Sequence, residues 1–103
     1  MTVRSPSVLV VDDEAGILET LRILLRNEGF VVRTALGGRA GLDALAEAVP
    51  ALVRSDIRMP TVSGLDVLAA AKQADPTLPV VLMTAQASMQ SAIQAVNDGA
   101  FYY

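Results

Sequence analysis

The segment SVLVVDDEAGILETLRILLRNEG, residues 7–29, carries two different periodicities. Ser7 to Val11 is a short, continuous, β-branched run, the pattern of a strand covered on both faces. From Ala15 to Asn27 the apolar residues Ile17, Leu18, Leu21, Leu24 and Leu25 recur at helical spacing instead, and Gly29 supplies a stop signal. Asp12, Asp13 and Glu14 lie between the two patterns. An aspartate ahead of a helix can serve as an N-cap, so for this pair alone a cap and a functional site are both open readings.

The same strand-then-helix order repeats along the chain. Phe30 to Ala35 reads as a second strand, and its Arg33 and Thr34 place it near a sheet edge. A Gly37-Gly38 turn leads into a helix with Leu42, Leu45 and Val49 on one face, ended by Pro50. Residues 51–55 form a third strand. A loop through Pro60 and Ser63 precedes a helix from Gly64 to Ala74, with Leu65 and Leu68 facing inward, and Asp75-Pro76 marks a turn. Pro79 to Met83 is an apolar strand, and Ser88 to Asn97 a helix with Met89, Ile93 and Val96 on its buried stripe. Asp98-Gly99 ends that helix, and residues 100–103 begin a fifth strand. Alternation with short connections implies a parallel sheet with helices on both faces, a doubly wound α/β fold.

Composition narrows the chemistry. The chain has 103 residues, enough for one domain, and 52% of them are hydrophobic against 18% charged, enough for a core. With no cysteine and no histidine, thiol catalysis, imidazole catalysis and thiolate or imidazole metal sites are excluded. The net charge of −3 and the scattered placement of the eight Lys and Arg argue against nucleic-acid binding by this segment. No apolar run approaches the roughly 18–20 residues that cross a bilayer, and the start lacks the apolar core of a signal peptide, so a cytoplasmic location is expected.

In open parallel sheets ligands bind at the carboxyl ends of the strands. Asp12 and Asp13 follow the first strand, Asp56 ends the third, and Thr84 follows the fourth. Carboxylates gathered at one rim repel one another, and a hard divalent cation such as Mg2+ relieves that repulsion. A phosphoryl group arriving there would meet a nucleophilic aspartate, a metal and a hydroxyl. A strand end has no need of a carboxylate, which makes Asp56 the residue hardest to read as purely structural.

The motifs VLVVDDE, SDIRMP followed by SGLDVL, PVVLMTA and DGAFYY resemble, in order and spacing, those of bacterial response-regulator receiver domains, over essentially the whole chain. The likeness is greatest to receivers of transcriptional regulators, and SDIRMP is common in those joined to ATPase activator and DNA-binding modules. The resemblance implies a flavodoxin-like sheet of order 2-1-3-4-5. It implies that Asp56 accepts a phosphoryl group from a sensor histidine kinase in a reaction the receiver itself assists, as it does the later hydrolysis, without being an enzyme in the ordinary sense. It implies that Asp13 and Asp56 bind Mg2+ directly, Asp12 mainly through water, and the backbone carbonyl of Arg58 completes the protein ligands. Thr84 and the aromatic Tyr103 would form the switch, and Arg58 and Gln86 would tune hydrolysis, although a solvated loop arginine is an equal reading of Arg58.

Two departures stand out. The family carries a lysine shortly after the switch aromatic, beyond Tyr103, and Lys72 lies on the wrong helix to replace it. Residues 1–103 are therefore expected to be a single receiver domain that is incomplete at its C-terminus, with the fifth strand cut short and the fifth helix missing. An output domain would follow in a longer chain, and the exposed edge of the fourth strand would favour a homodimer or larger oligomer. The second departure is Arg54, where receivers carry an apolar residue. A buried guanidinium must reach the surface or find a carboxylate; an electrostatic role at the site is open, and a snorkelling side chain is the plainer expectation. Two other function classes are compatible with parts of the pattern. One is a receiver-like interaction or dimerisation module that works without phosphorylation. The other is a phosphatase or nucleotide-binding enzyme, which the absence of a P-loop or a strand-linked GxGxxG disfavours.

Overall fold

The computed structural model describes residues 6–83, 97–99 and 101–102. The elements are β1 (Ser7–Asp12), α1 (Ala15–Asn27), β2 (Val31–Leu36), α2 (Gly38–Glu47), β3 (Leu52–Asp56), α3 (Gly64–Ala74), β4 (Val80–Met83) and β5 (Phe101–Tyr102). All strand pairs are parallel, and the sheet order is β2-β1-β3-β4-β5, the flavodoxin-like order expected. The helix expected over 88–97 lies outside the described residues except for Asn97.

Strand side chains alternate between two layers. Leu9 and Val11 of β1, Val53 of β3 and Val80 and Leu82 of β4 pack with Leu45 of α2 and Val67, Leu68 and Ala71 of α3. Val8 and Val10 point the other way, onto Leu18 of α1, with Leu21, Leu25 and Phe30 around them. Each fully buried aliphatic side chain of this kind contributes about 1.5–3 kcal/mol. Burial on both faces is what the unbroken apolar run of β1 encodes.

Local chemistry sets the ends of the elements. Helix α1 closes with a Schellman pair: Gly29 N–H donates to the Arg26 carbonyl and Phe30 N–H to the Leu25 carbonyl. Gly29 has φ +94°, which a residue with a Cβ adopts only under strain. Helix α3 begins with a capping box in which Ser63 and Asp66 satisfy each other's backbone N–H groups. Helix α2 ends two residues earlier than its apolar pattern indicates. Ala48 is extended at φ −160°, ψ 136°, and Val49, expected on the buried face, is 48% exposed. Pro50 disfavours a helical residue before it, and the Arg33 guanidinium accepts the chain's departure by donating to the Ala44 and Ala48 carbonyls.

Arg33 lies on β2, the outer strand, as its polarity indicates. At the other side, β4 pairs with β5 at Val81↔Phe101 and Leu82↔Tyr102, so part of the edge expected to be bare is covered.

Candidate functional site

The registers Val11↔Ser55 between β1 and β3, and Asp56↔Met83 between β3 and β4, bring the carboxyl ends of the three central strands side by side. Carboxylate oxygens of Asp12, Asp13 and Asp56 all lie within 4.8 Å of one another there. Asp12 is the last residue of β1 and is buried; Asp13 is exposed; Asp56 is half-buried.

The capping alternative for Asp12 and Asp13 does not hold. The N-cap of α1 is Glu14, with no side-chain cap bond. Asp12 instead closes a tight turn, its Oδ1 accepting from the Glu14 N–H at 3.0 Å. Its Oδ2 accepts from Nη1 of Arg54 at 2.7 Å. Both oxygens of the buried carboxylate are thus engaged, which fixes its orientation.

Arg54 is therefore not a snorkelling residue. It shares the α1-facing side of the sheet with Asp12, because β1 and β3 alternate in step through the pair Val10↔Arg54. Its Nε lies 2.9 Å from Sδ of Met83 on β4, and its side chain is 14% exposed. The requirement that a buried guanidinium find a carboxylate is met by the site itself.

Asp56 is held more loosely. Among the described residues its carboxylate accepts one hydrogen bond, from the Arg58 N–H at 3.3 Å. Burial pushes its pKa above the ordinary carboxylate range, and the charge of Asp12 adds to this. The Arg58 N–H opposes the shift, Asp13 reinforces it, and Arg54 opposes it at longer range. The carboxylate is poorly compensated by the protein alone.

The loop after β3 is shaped by residues whose role the sequence pattern leaves unassigned. Ile57 and Met59 are buried while Arg58 between them is exposed, so the alternation of β3 continues past its end. Ile57 N–H donates to the Met83 carbonyl and Gly64 N–H to the Ile57 carbonyl. A Cβ on Gly64 would stand 2.2 Å from the Asp56 carbonyl oxygen, so only glycine lets α3 start this close to the site. Lys72 is spent elsewhere, with Nζ donating to the Leu78 carbonyl at 2.7 Å. Thr84, Gln86 and Tyr103 lie outside the described residues.

The donor set suits a hard divalent cation. It is all oxygen, it carries like charges at close range, and two of its three carboxylates keep oxygens that no side chain occupies among the described residues. Such a cluster can neutralise itself around a cation while leaving Asp56 open to an incoming electrophile.

Residues 8–103 match the family described as the response regulator receiver domain. The chain is similar to the DNA-binding transcriptional regulator NtrC of Escherichia coli (strain K12), 42% identical over 96 residues, which are 93% of this chain and 20% of NtrC. It is also similar to a response regulator receiver domain protein from Clostridium thermocellum, with TM-score 0.89 and 35% identity over 95% of this chain and 79% of that one. A third likeness is to the response regulator TrrA of Thermotoga maritima, with TM-score 0.82 and 32% identity, covering 94% of this chain and 84% of that one. The chain thus spans about a fifth of the curated relative's length and most of each compared receiver structure.

Proposed function

The chain belongs to the response regulator receiver domain family, the signalling module of two-component systems, and from that membership we propose that Asp56 is its phosphoacceptor. The observation that carries the reading is the arrangement of the three carboxylates. Asp12 is bonded through both oxygens, whereas Asp56 points to the same cluster with a single weak hydrogen bond. The nucleophile is the least committed member.

In the proposed transfer an Asp56 carboxylate oxygen forms a bond to phosphorus as the P–N bond of a kinase phosphohistidine breaks, and the imidazole leaves with the electron pair. In the return reaction water attacks phosphorus and the Asp56 carboxylate leaves, releasing inorganic phosphate. The backbone N–H of Arg58 orients Asp56, and Asp12, fixed by Glu14 and Arg54, holds the shape of the cluster. Asp13 and Asp56, with the Arg58 carbonyl, would hold Mg2+ directly and Asp12 through water. When bound, that ion neutralises the cluster and draws charge from the transferring phosphoryl oxygens. The structure of TrrA is of a Mg(2+)-BeF complex, which supports the same occupant here. By their motif positions Thr84 would bond a phosphoryl oxygen, the Tyr103 ring would turn inward, and Arg58 and Gln86 would tune hydrolysis.

Phosphorylation adds charge at one rim of the sheet and biases a packing equilibrium that a dimer partner or output domain reads. NtrC is a DNA-binding transcriptional regulator, which supports control of transcription as the output. Membership of the receiver family supports a sensor histidine kinase as the input and the cytoplasm as the location. Among the described residues no helix is long and apolar enough to cross a membrane. Nothing in the site favours a phosphorylation-independent module. The test is intact-mass measurement after incubation with acetyl phosphate and MgCl2. One added phosphoryl group on the wild type and none on Asp56→Asn supports the reading, and an unmodified wild type overturns it.

A further inference from the structure

We propose that Arg54 is the internal counter-ion of the carboxylate site, a positioning residue that holds Asp12 in place and lowers the affinity of the site for a divalent cation. The inference rests on the metal reading above and extends it to a residue outside the motifs that carry that reading.

The geometry sets both roles. Arg54 reaches Asp12 from the second strand of the cluster, with Nη1 2.7 Å from Oδ2, and the pair is buried, with side chains 14% and 2% exposed. Its Nε rests 2.9 Å from the Met83 Sδ, so strands β1, β3 and β4 all contribute to the guanidinium's seat. With Oδ1 held by the Glu14 N–H at 3.0 Å and Oδ2 by Arg54, the buried Asp12 carboxylate is fixed in orientation, and the guanidinium supplies the opposite charge that its burial calls for. The same positive charge stands 2.7 Å from an oxygen of Asp12, one of the three carboxylates that gather at the rim. A cation entering that space is repelled by Arg54 and must share Asp12 with it. The fold carries part of the neutralising charge permanently, so the cluster is formed before metal arrives and binds metal less tightly than three unpaired carboxylates would.

Isothermal titration of the protein with MgCl2 tests this, comparing wild type, Arg54→Gln and Arg54→Lys. Gln keeps an N–H donor for Asp12 but no charge; Lys keeps the charge. The expected result is about tenfold tighter Mg2+ binding by Arg54→Gln and near wild-type binding by Arg54→Lys, from repulsion of a divalent ion by one charge over several ångströms at close to the dielectric of water. The rise in Tm produced by MgCl2 provides a second readout that tolerates a less stable variant, and it should be larger for Arg54→Gln than for wild type. Unchanged or weaker Mg2+ binding by Arg54→Gln, with binding by the wild type intact, overturns this inference alone. A wild type that binds no Mg2+ overturns the metal reading and this inference with it. Were Arg54 purely structural, Arg54→Gln would lower stability equally with and without MgCl2 and leave the affinity unmoved, which overturns the inference.

Discussion

Asp56→Asn is expected to stabilise the protein in the absence of divalent metal, although it removes the residue on which the proposed function depends. Carboxylate oxygens of Asp12, Asp13 and Asp56 lie within 4.8 Å of one another. Two unit charges at that separation repel by about 0.9 kcal/mol at the dielectric of water and about 3.5 kcal/mol at an effective dielectric of 20. Asp13 is exposed, so its share lies at the lower bound. Asp12 is buried and acts more strongly, and the Arg54 guanidinium 2.7 Å from its Oδ2 offsets only part of its field at Asp56. The gain from Asp56→Asn is then about 1–2 kcal/mol, or roughly 5–9 °C in Tm for a domain of this size.

The pH dependence has a definite sign. Burial, then Asp12, raises the pKa of Asp56 in the folded protein. The unfolded chain therefore releases this proton at lower pH than the folded one, and stability falls as pH rises from the ordinary carboxylate value to the raised one. Above that window the penalty is complete and the advantage of Asn is greatest; below the ordinary value both states are protonated and the advantage vanishes. Urea unfolding followed by circular dichroism, in EDTA at neutral and at acidic pH, measures it. Adding MgCl2 should restore the wild type relative to the variant, since the cation binds the folded wild type better. An Asn variant no more stable than wild type in EDTA at neutral pH would refute the electrostatic reasoning.

Two further substitutions probe the supports of the site. Gly64→Ala places a Cβ 2.2 Å from the Asp56 carbonyl oxygen and 2.7 Å from the Ile57 Cα. It should lower stability by about 3 kcal/mol and weaken Mg2+ binding, measured by thermal unfolding and MgCl2 titration, because backbone has to move at the residue that carries the carboxylate. Ser63→Ala removes one half of the α3 capping box and should lower stability by about 1 kcal/mol in urea unfolding, leaving Mg2+ affinity unchanged.

Much of the fold was legible because strand burial and helix amphipathicity leave different periods in the chain. The bounds of α1 and α3 come out as their patterns indicate, since Gly29 and Asp75-Pro76 interrupt the helical pattern where the chain must turn. The end of α2 did not, because Val49 continues an apolar period that Pro50 and the Arg33 guanidinium override. The capping box at Ser63 and Asp66 is signalled by the S-x-x-D spacing at the end of the loop after β3.

The amino-acid sequence by itself determined that carboxylates end two strands of a parallel sheet, because that follows from local pattern and from the rule that such sheets gather their strand ends at one rim. It also established that Arg54 and Asp56 share a strand face, since side chains alternate with period two. Only the tertiary structure decided what Arg54 does there. Its partner is 42 residues away, and the pairing depends on the register Val10↔Arg54, which no local property of either strand specifies. A charge in a buried run announces that a partner exists; which carboxylate it is, and that the same carboxylate belongs to the site, depends on how the strands are placed together.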